Sequence, residues 1–314
     1  MVDVCPFLVE ISVLIALGIQ LIRGIVLDNF VILTDSCCDL PQSTILNRNI
    51  GYAALTFQLA GKEYFDDFGQ SFPHTNFYQA MKEGHVVKTS QAIPQTFYDL
   101  FLSFVQKDVE ILYIGVSSGL SGTYNSANLA KKMILDLYPA AKITLFNSLT
   151  GSMGEGLLVL KALEMQEQGK SIQEIKTYLE KSIKSFKTFM SVNDLEYLRK
   201  GGRINALQYA LGSFLKINTM LCLDQEGKVG ILDKVRGRKK AIQHFVQSVK
   251  ENIINPKEQT IAISHGDCLE DALLLKAELL KEVKVRAIQM GIIGPVVGAY
   301  GGPGALAVFL PNEI

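Results

Sequence analysis

Three short apolar runs in the first half of this chain each end in a turn rich in hydroxyl groups. Phe30-Val-Ile-Leu-Thr34 meets Asp35-Ser36, Ile111 to Val116 meets Ser117-Ser-Gly-Leu-Ser-Gly-Thr123, and Ile143 to Phe146 meets Asn147-Ser148. A short run that is apolar throughout and rich in β-branched residues fits a strand buried on both faces, with helices covering it. The intervening sequence supplies them. Pro94 opens a helix in which Phe97, Leu100, Phe101 and Phe104 keep helical spacing, a second is expected from about Thr123 to Tyr138, and a third contains Gly156 to Gln166. Strands alternating with helices predict a parallel sheet, because a helix must carry the chain back before the next strand begins. Tyr52 to Leu59 predicts one more strand, with a turn at Gly61-Lys62.

The second half has a different rhythm. Ile172, Ile175, Leu179, Ile183 and Phe186 mark one face of an amphipathic helix, and a second domain is expected to start near there. Phe189 to Val192 is strand-like, and the following Asp194-Leu-Glu-Tyr-Leu-Arg-Lys reads as a helix closed by Gly201-Gly202. Met220 to Leu223 and Val229 to Val235 flank Gln225-Glu-Gly-Lys228 as a hairpin, and Thr260 to Ser264 predicts a strand running into His265. The glycine-rich Gly291 to Gly304 carries few side chains, which lets backbone approach a neighbour or a ligand closely. The fold class expected is therefore α/β in two domains: residues 30–170 with a parallel sheet flanked by helices, and 171–314 with a mixed sheet.

Residues 1–29 stand apart. Ile11 to Ile22 is almost wholly apolar, but Glu10, Gln20 and Arg23 interrupt any window of the roughly 20 residues a spanning helix needs. Peripheral membrane contact is the most this segment suggests. Its readings are a membrane-surface helix, an extra helix on the fold, or translation from too early a start. The last would place initiation at a non-methionine codon near Val26 or Leu27, since Met81 is the next methionine.

Composition narrows the function. Lys+Arg and Asp+Glu number 31 each, so no overall field favours nucleic acid. The five cysteines lack CxxC spacing and the four histidines are scattered singly, so no metal is expected and a reducing cytoplasm fits. No Gly-Lys-Ser/Thr closes a glycine-rich turn as in a P-loop, and around Ser121 the stretch Gly119-Leu-Ser-Gly122 lacks the fifth position of a G-x-S-x-G elbow.

The chemistry is expected at the hydroxyl-bearing turns. Val86-Val-Lys-Thr-Ser-Gln-Ala-Ile-Pro94 predicts another strand handing over to a helix, with Thr89, Ser90 and Gln91 offering donors to an anion. If its strand is parallel to the others, this turn opens at the same carboxyl edge as Asp35-Ser36, Ser118-Gly119-Leu120-Ser121 and Asn147-Ser148, the usual place for a ligand in an open α/β sheet. Each serine taken singly fits a helix cap equally well. A hydrolase using Ser121 or Ser90 with His265 is the alternative from another class. Arg203, Arg236 and Arg238-Lys239-Lys240 read either as a solvated face or, for Arg236 and His265, as the rim of a site.

The ordered set Leu33-Thr-Asp-Ser36, Thr89-Ser-Gln91, Ser117-Ser-Gly-Leu-Ser-Gly122, Asp194-Leu-Glu-Tyr-Leu-Arg-Lys-Gly-Gly-Arg-Ile204, Lys234-Val-Arg236, His265-Gly-Asp267 and Gly294-Pro-Val-Val297 closely resembles the DegV family, from about Phe30 to the C-terminus. The resemblance implies a two-domain fatty-acid-binding protein with no other cofactor, holding one acyl chain of the palmitate or oleate class in an apolar tunnel between or within the domains. It implies a carrier, not a catalyst; some relatives present the acyl chain to the catalytic subunit of a bacterial fatty acid kinase. On this resemblance Thr89, Ser90, Ser118, Gly119 and Ser121, with Asp35 and Ser36, surround the carboxylate. Arg203, Arg236 and His265 lie at the head-group rim or face the kinase. Lys88 and Ala92 depart from a small hydroxyl residue and a proline common in the family, and Lys88 would alter the charge beside the carboxylate.

Overall fold

A computed structural model of the chain describes residues 30–206, 209 and 217–312. The expectations for residues 1–29 lie outside the described residues. Strands β1 (Phe30–Asp35), β2 (Gly51–Ala53), β6 (Glu110–Gly115) and β7 (Ile143–Asn147) form a four-stranded parallel sheet in the order β2-β1-β6-β7. Side chains alternate strictly across it. Phe30, Ile32, Leu112 and Ile114 enter one apolar cluster, while Val31, Leu33, Ile111 and Tyr113 enter another.

Helices follow from that alternation. The second cluster is closed by helices α3 (Pro94–Val105) and α4 (Thr123–Leu137), through Phe97, Leu100, Phe101, Ala127, Ala130 and Ile134. The first is closed by α5 (Met153–Glu167) and α6 (Ile172–Ser185), the latter opened by a capping box between Ser171 and Glu174. Two short helices, α1 (Gln42–Asn47) and α2 (His74–Lys82), complete the first half.

The second sheet has six strands in the order β10-β9-β8-β13-β11-β12, built from β8 (Lys187–Val192), β9 (Ile217–Leu223), β10 (Val229–Arg236), β11 (Thr260–His265), β12 (Ala287–Ile292) and β13 (Leu306–Leu310). Only β11 and β12 pair in parallel, so the sheet is mixed. Helices α8 (Arg238–Asn252) and α9 (Leu269–Glu282) cover its outer face through Phe245, Val249, Leu275 and Leu279. Its inner face meets α5. Ala262, Ala307 and Phe309 belong to the same cluster as the first sheet, so one apolar core joins the two halves. Gly154 permits this approach, since a Cβ there would sit 2.6 Å from Phe309 Cδ1 and from Thr150 Oγ1. Among the described residues no helix is long and apolar enough to cross a membrane.

Two expectations change. Tyr52 to Leu59 is not one strand but two, with β3 (Thr56–Leu59) leaving for a separate three-stranded antiparallel sheet with β4 (Lys62–Phe65) and β5 (Val87–Ser90). The break is satisfied locally: the Leu55 N–H donates to Ser36 Oγ at 3.0 Å, and the Leu55 carbonyl accepts from the Asp66 N–H at 2.8 Å. Consequently the strand entering Thr89-Ser90-Gln91 is antiparallel, with Thr89 opposite Phe57, and does not belong to the carboxyl edge of the parallel sheet. The glycine-rich end also resolves into a short helix, α10 (Pro295–Gly301), between β12 and β13.

Candidate functional site

A cavity of about 270 Å³ lies between the inner face of the six-stranded sheet and the loops of the first half. Most of its wall is apolar. Met190 and Val192 of β8, Leu221 and Leu223 of β9, and Ala307 and Phe309 of β13 face it from the sheet. Val296 and Val297 of α10 close one side, and Leu55, Val116 and Leu120 close another. Three elements far apart in sequence bring polar groups to this wall: Thr89, Ser90 and Gln91 at the end of β5, Ser121 before α4, and Arg203 after the short helix α7 (Glu196–Lys200); Ser152, Thr188 and Ser191 line it as well. Ser90 and Gln91 are exposed, so the cavity reaches the surface there.

Hydrogen bonds fix several of these groups. Thr89 Oγ1 and the Tyr300 hydroxyl are 2.5 Å apart. The Ser121 and Thr123 hydroxyls are 2.9 Å apart, and Gln91 Nε2 donates to Ser126 Oγ at 3.0 Å. Arg203 donates from Nε to the Leu120 carbonyl at 2.9 Å and from Nη1 to the Gly201 carbonyl at 2.6 Å, while its guanidinium carbon lies 4.3 Å from the centre of the Tyr300 ring. Arg203 Nη2 has no hydrogen-bond partner among the described residues and remains available to a ligand.

Other residues named from the sequence stand outside the cavity wall. Asp35 and Ser36 are buried beneath it. The Asp35 carboxylate accepts from the Tyr113 hydroxyl at 2.7 Å, the Val116 N–H at 3.0 Å and the Cys37 N–H at 3.0 Å, and burial pushes its pKa up. These bonds tie the strand ends together. Ser118 is exposed and exchanges bonds with the Asn147 side chain, and Gly119 packs on the backbone of Glu226 and Gly227. Arg236 is exposed at the end of β10. His265 ends β11 nearly buried, its Nδ1 without a partner among the described residues; burial lowers its pKa. Lys88 is exposed opposite Gln58 and does not line the cavity, so its charge sits away from the wall formed by Thr89.

Sequence reasoning missed Tyr300 and the apolar wall of the second sheet. The signals were Gly294-Pro295, which places proline at the first turn of α10, and the scarcity of side chains around it. Two buried carboxyls seat that helix. Asp39 Oδ1 accepts from the Gly294 N–H at 2.9 Å, and Asp66 Oδ2 accepts from the Val296 N–H at 3.1 Å. Burial pushes Asp39 up to about 7 and Asp66 well above the usual carboxylate range. No histidine lines the cavity among the described residues, so a base for Ser90 or Ser121 is missing from its wall. Among the described residues no group of three or more His, Cys, Asp or Glu side chains is arranged to hold a metal ion.

Comparison with known proteins places this architecture. Residues 29–313 match the family model described as an uncharacterised protein of the DegV family. A DegV domain-containing protein of Clostridium perfringens is 38% identical over 284 residues, covering 90% of this chain and 98% of that protein. Among solved structures, a fatty-acid-binding DegV family protein from Thermus thermophilus superposes with a TM-score of 0.82 at 28% identity, over 90% of this chain and 98% of that one. A DegV family protein from Ruminococcus gnavus, refined with vaccenic acid, gives 0.80 at 25% identity, over 90% and 99%.

Proposed function

The chain belongs to the DegV family, and on that premise we propose that it binds a single long-chain fatty acid of the palmitate or oleate class. The observation that carries the reading is one largely apolar cavity on whose wall Thr89, Tyr300 and Arg203 are linked side by side, next to the turn that holds Ser121. In this reading Thr89, Ser90 and Ser121 donate to the carboxylate, Arg203 Nη2 supplies the opposing charge, and the acyl tail lies against Met190, Leu221, Ala307 and Phe309. Asp35 and Ser36 act beneath the site by holding its loops, with Ser118 and Gly119 bracing the second turn.

The division of labour follows from magnitudes. A chain of sixteen carbons gains about 0.8 kcal/mol per buried CH₂, on the order of 10 kcal/mol gross before the costs of ordering and association. A neutral hydrogen bond adds about 1 kcal/mol and a charged one about twice that. The tail therefore supplies affinity and the polar cluster supplies orientation. A carboxylate held beside exposed Ser90 and Gln91 is within reach of another protein, which gives the chain the role of a carrier. It presents the head group to a fatty acid kinase for acyl-phosphate formation, or hands it on in lipid transport, with exposed Arg236 facing the partner while His265 stays buried.

Native mass spectrometry of the purified protein tests the binding. The expected spectrum shows one co-purified fatty acid per chain. An apo mass under gentle conditions, with no uptake of added palmitate or oleate, would overturn the proposal.

A further inference from the structure

We propose that Tyr300 fixes the direction of hydrogen bonding at the head group and so makes the site selective for an ionised carboxylate over a neutral polar head. The inference rests on the fatty-acid reading above and adds to it a positioning residue on α10. Its observations are independent of that reading. The Tyr300 hydroxyl bonds Thr89 across 211 residues of sequence, and its ring carries the Arg203 guanidinium at 4.3 Å. Gly201, two residues before Arg203, is the residue that makes room: a Cβ there would lie 2.2 Å from Tyr300 Cδ1. Asp39 and Asp66 anchor the other end of the same short helix.

The chemistry follows from the two hydroxyls. A phenol is a far stronger acid than an aliphatic alcohol, and the alcohol oxygen is the better acceptor. Tyr300 therefore donates and Thr89 accepts. A threonine hydroxyl that has accepted one bond keeps a single proton to give, and that proton is directed to the ligand. Arg203 is committed in the same sense. Its Nε and Nη1 are occupied by the Leu120 and Gly201 carbonyls, its face is packed on the Tyr300 ring, and Nη2 remains as a donor with no accepting capacity. The head group meets donors on both sides. An ionised carboxylate only accepts and satisfies both, whereas an alcohol gains no charge pairing and leaves its own proton competing with theirs.

Tyr300→Phe removes the orienting hydroxyl and keeps the ring under Arg203. Affinities for palmitate and for 1-hexadecanol are measured by competition against a fluorescent fatty acid, in the wild type and the variant. Palmitate should bind roughly fivefold to tenfold more weakly in the variant, the loss of about one hydrogen bond, while 1-hexadecanol stays within about twofold. The ratio of the two is the readout, because a loosened fold weakens both ligands alike. Failure of the wild type to bind palmitate would remove the fatty-acid reading itself. A wild type that prefers palmitate and a Tyr300→Phe protein with the same preference would overturn only the role of Tyr300. Thr89→Val in both backgrounds adds a second check: if Tyr300 acts through Thr89, the double variant matches Thr89→Val alone, and additive losses refute the coupling.

Discussion

Replacing Asp39 by asparagine should make this protein less sensitive to rising pH. The folded chain holds the Asp39 carboxyl out of water between the Gly294 N–H and the Ser152 hydroxyl, and burial raises its pKa from 3.8 to about 7. An unfolded chain returns it to its ordinary value. Between about pH 4 and pH 7 the unfolded state has therefore released a proton that the folded state retains, so stability is greatest at the acid end and falls as pH rises. One group contributes about 1.4 kcal/mol per pH unit, or about 3 kcal/mol between pH 5 and pH 7 as an upper limit. Asparagine keeps the geometry without the titration. Its oxygen accepts from the Gly294 N–H and its amide donates to Ser152 Oγ, which can still donate to Ser264 Oγ, 2.9 Å away. Asp66 and Glu155 are also buried and raised, in part by the Asp39 charge itself, so the difference between the two proteins reads Asp39 together with its coupling to them. Urea unfolding followed by circular dichroism at pH 5, 6, 7 and 8 gives the two profiles. The wild type should lose stability relative to Asp39→Asn from pH 5 to 7 and run parallel to it above. Parallel profiles across the whole range would refute the reasoning.

Three further outcomes follow from the same geometry. Ser121→Ala should weaken palmitate binding by about 1 kcal/mol, roughly fivefold, with little change in melting temperature, because Ser121 is only half-buried; isothermal titration and a thermal scan check this together. Ala307→Phe should fill part of the cavity and shift preference toward shorter acyl chains, read by competing laurate against stearate, and an unchanged order would place the tail elsewhere. Gly298→Ala should destabilise the fold by about 1–3 kcal/mol through overpacking, since its Cβ would lie 2.6 Å from the Tyr78 hydroxyl, itself bonded to the Ile293 carbonyl; a shift in urea midpoint measures it.

Much of the scaffold was legible because burial leaves a strong mark on short segments. β1, β6 and β7 carry apolar residues on both faces, and the phenylalanines of α3 repeat at helical spacing, so neither could be mistaken for a surface loop. Tyr52 to Leu59 misled for the same reason. It is apolar without a turn residue, and what divides it is a hydroxyl from Ser36 and a backbone N–H from Asp66, neither of which is local. The direction of β5 was equally hidden, since an antiparallel partner leaves no sign in Val87-Lys-Thr-Ser90 itself.

The sequence by itself determined the alternation of strands and helices, the split in character between the two halves, and the set of motifs that marks the family. The tertiary structure decided which of the marked residues share a wall. Thr89, Ser121, Arg203 and Tyr300 stand on four elements, and their convergence depends on how a small antiparallel sheet, a strand-to-helix turn and a glycine-rich helix pack against one mixed sheet. Periodicity records whether a side chain is buried. It carries no record of which distant segment buries it, because that is fixed by the summed packing of the whole core and not by any local preference.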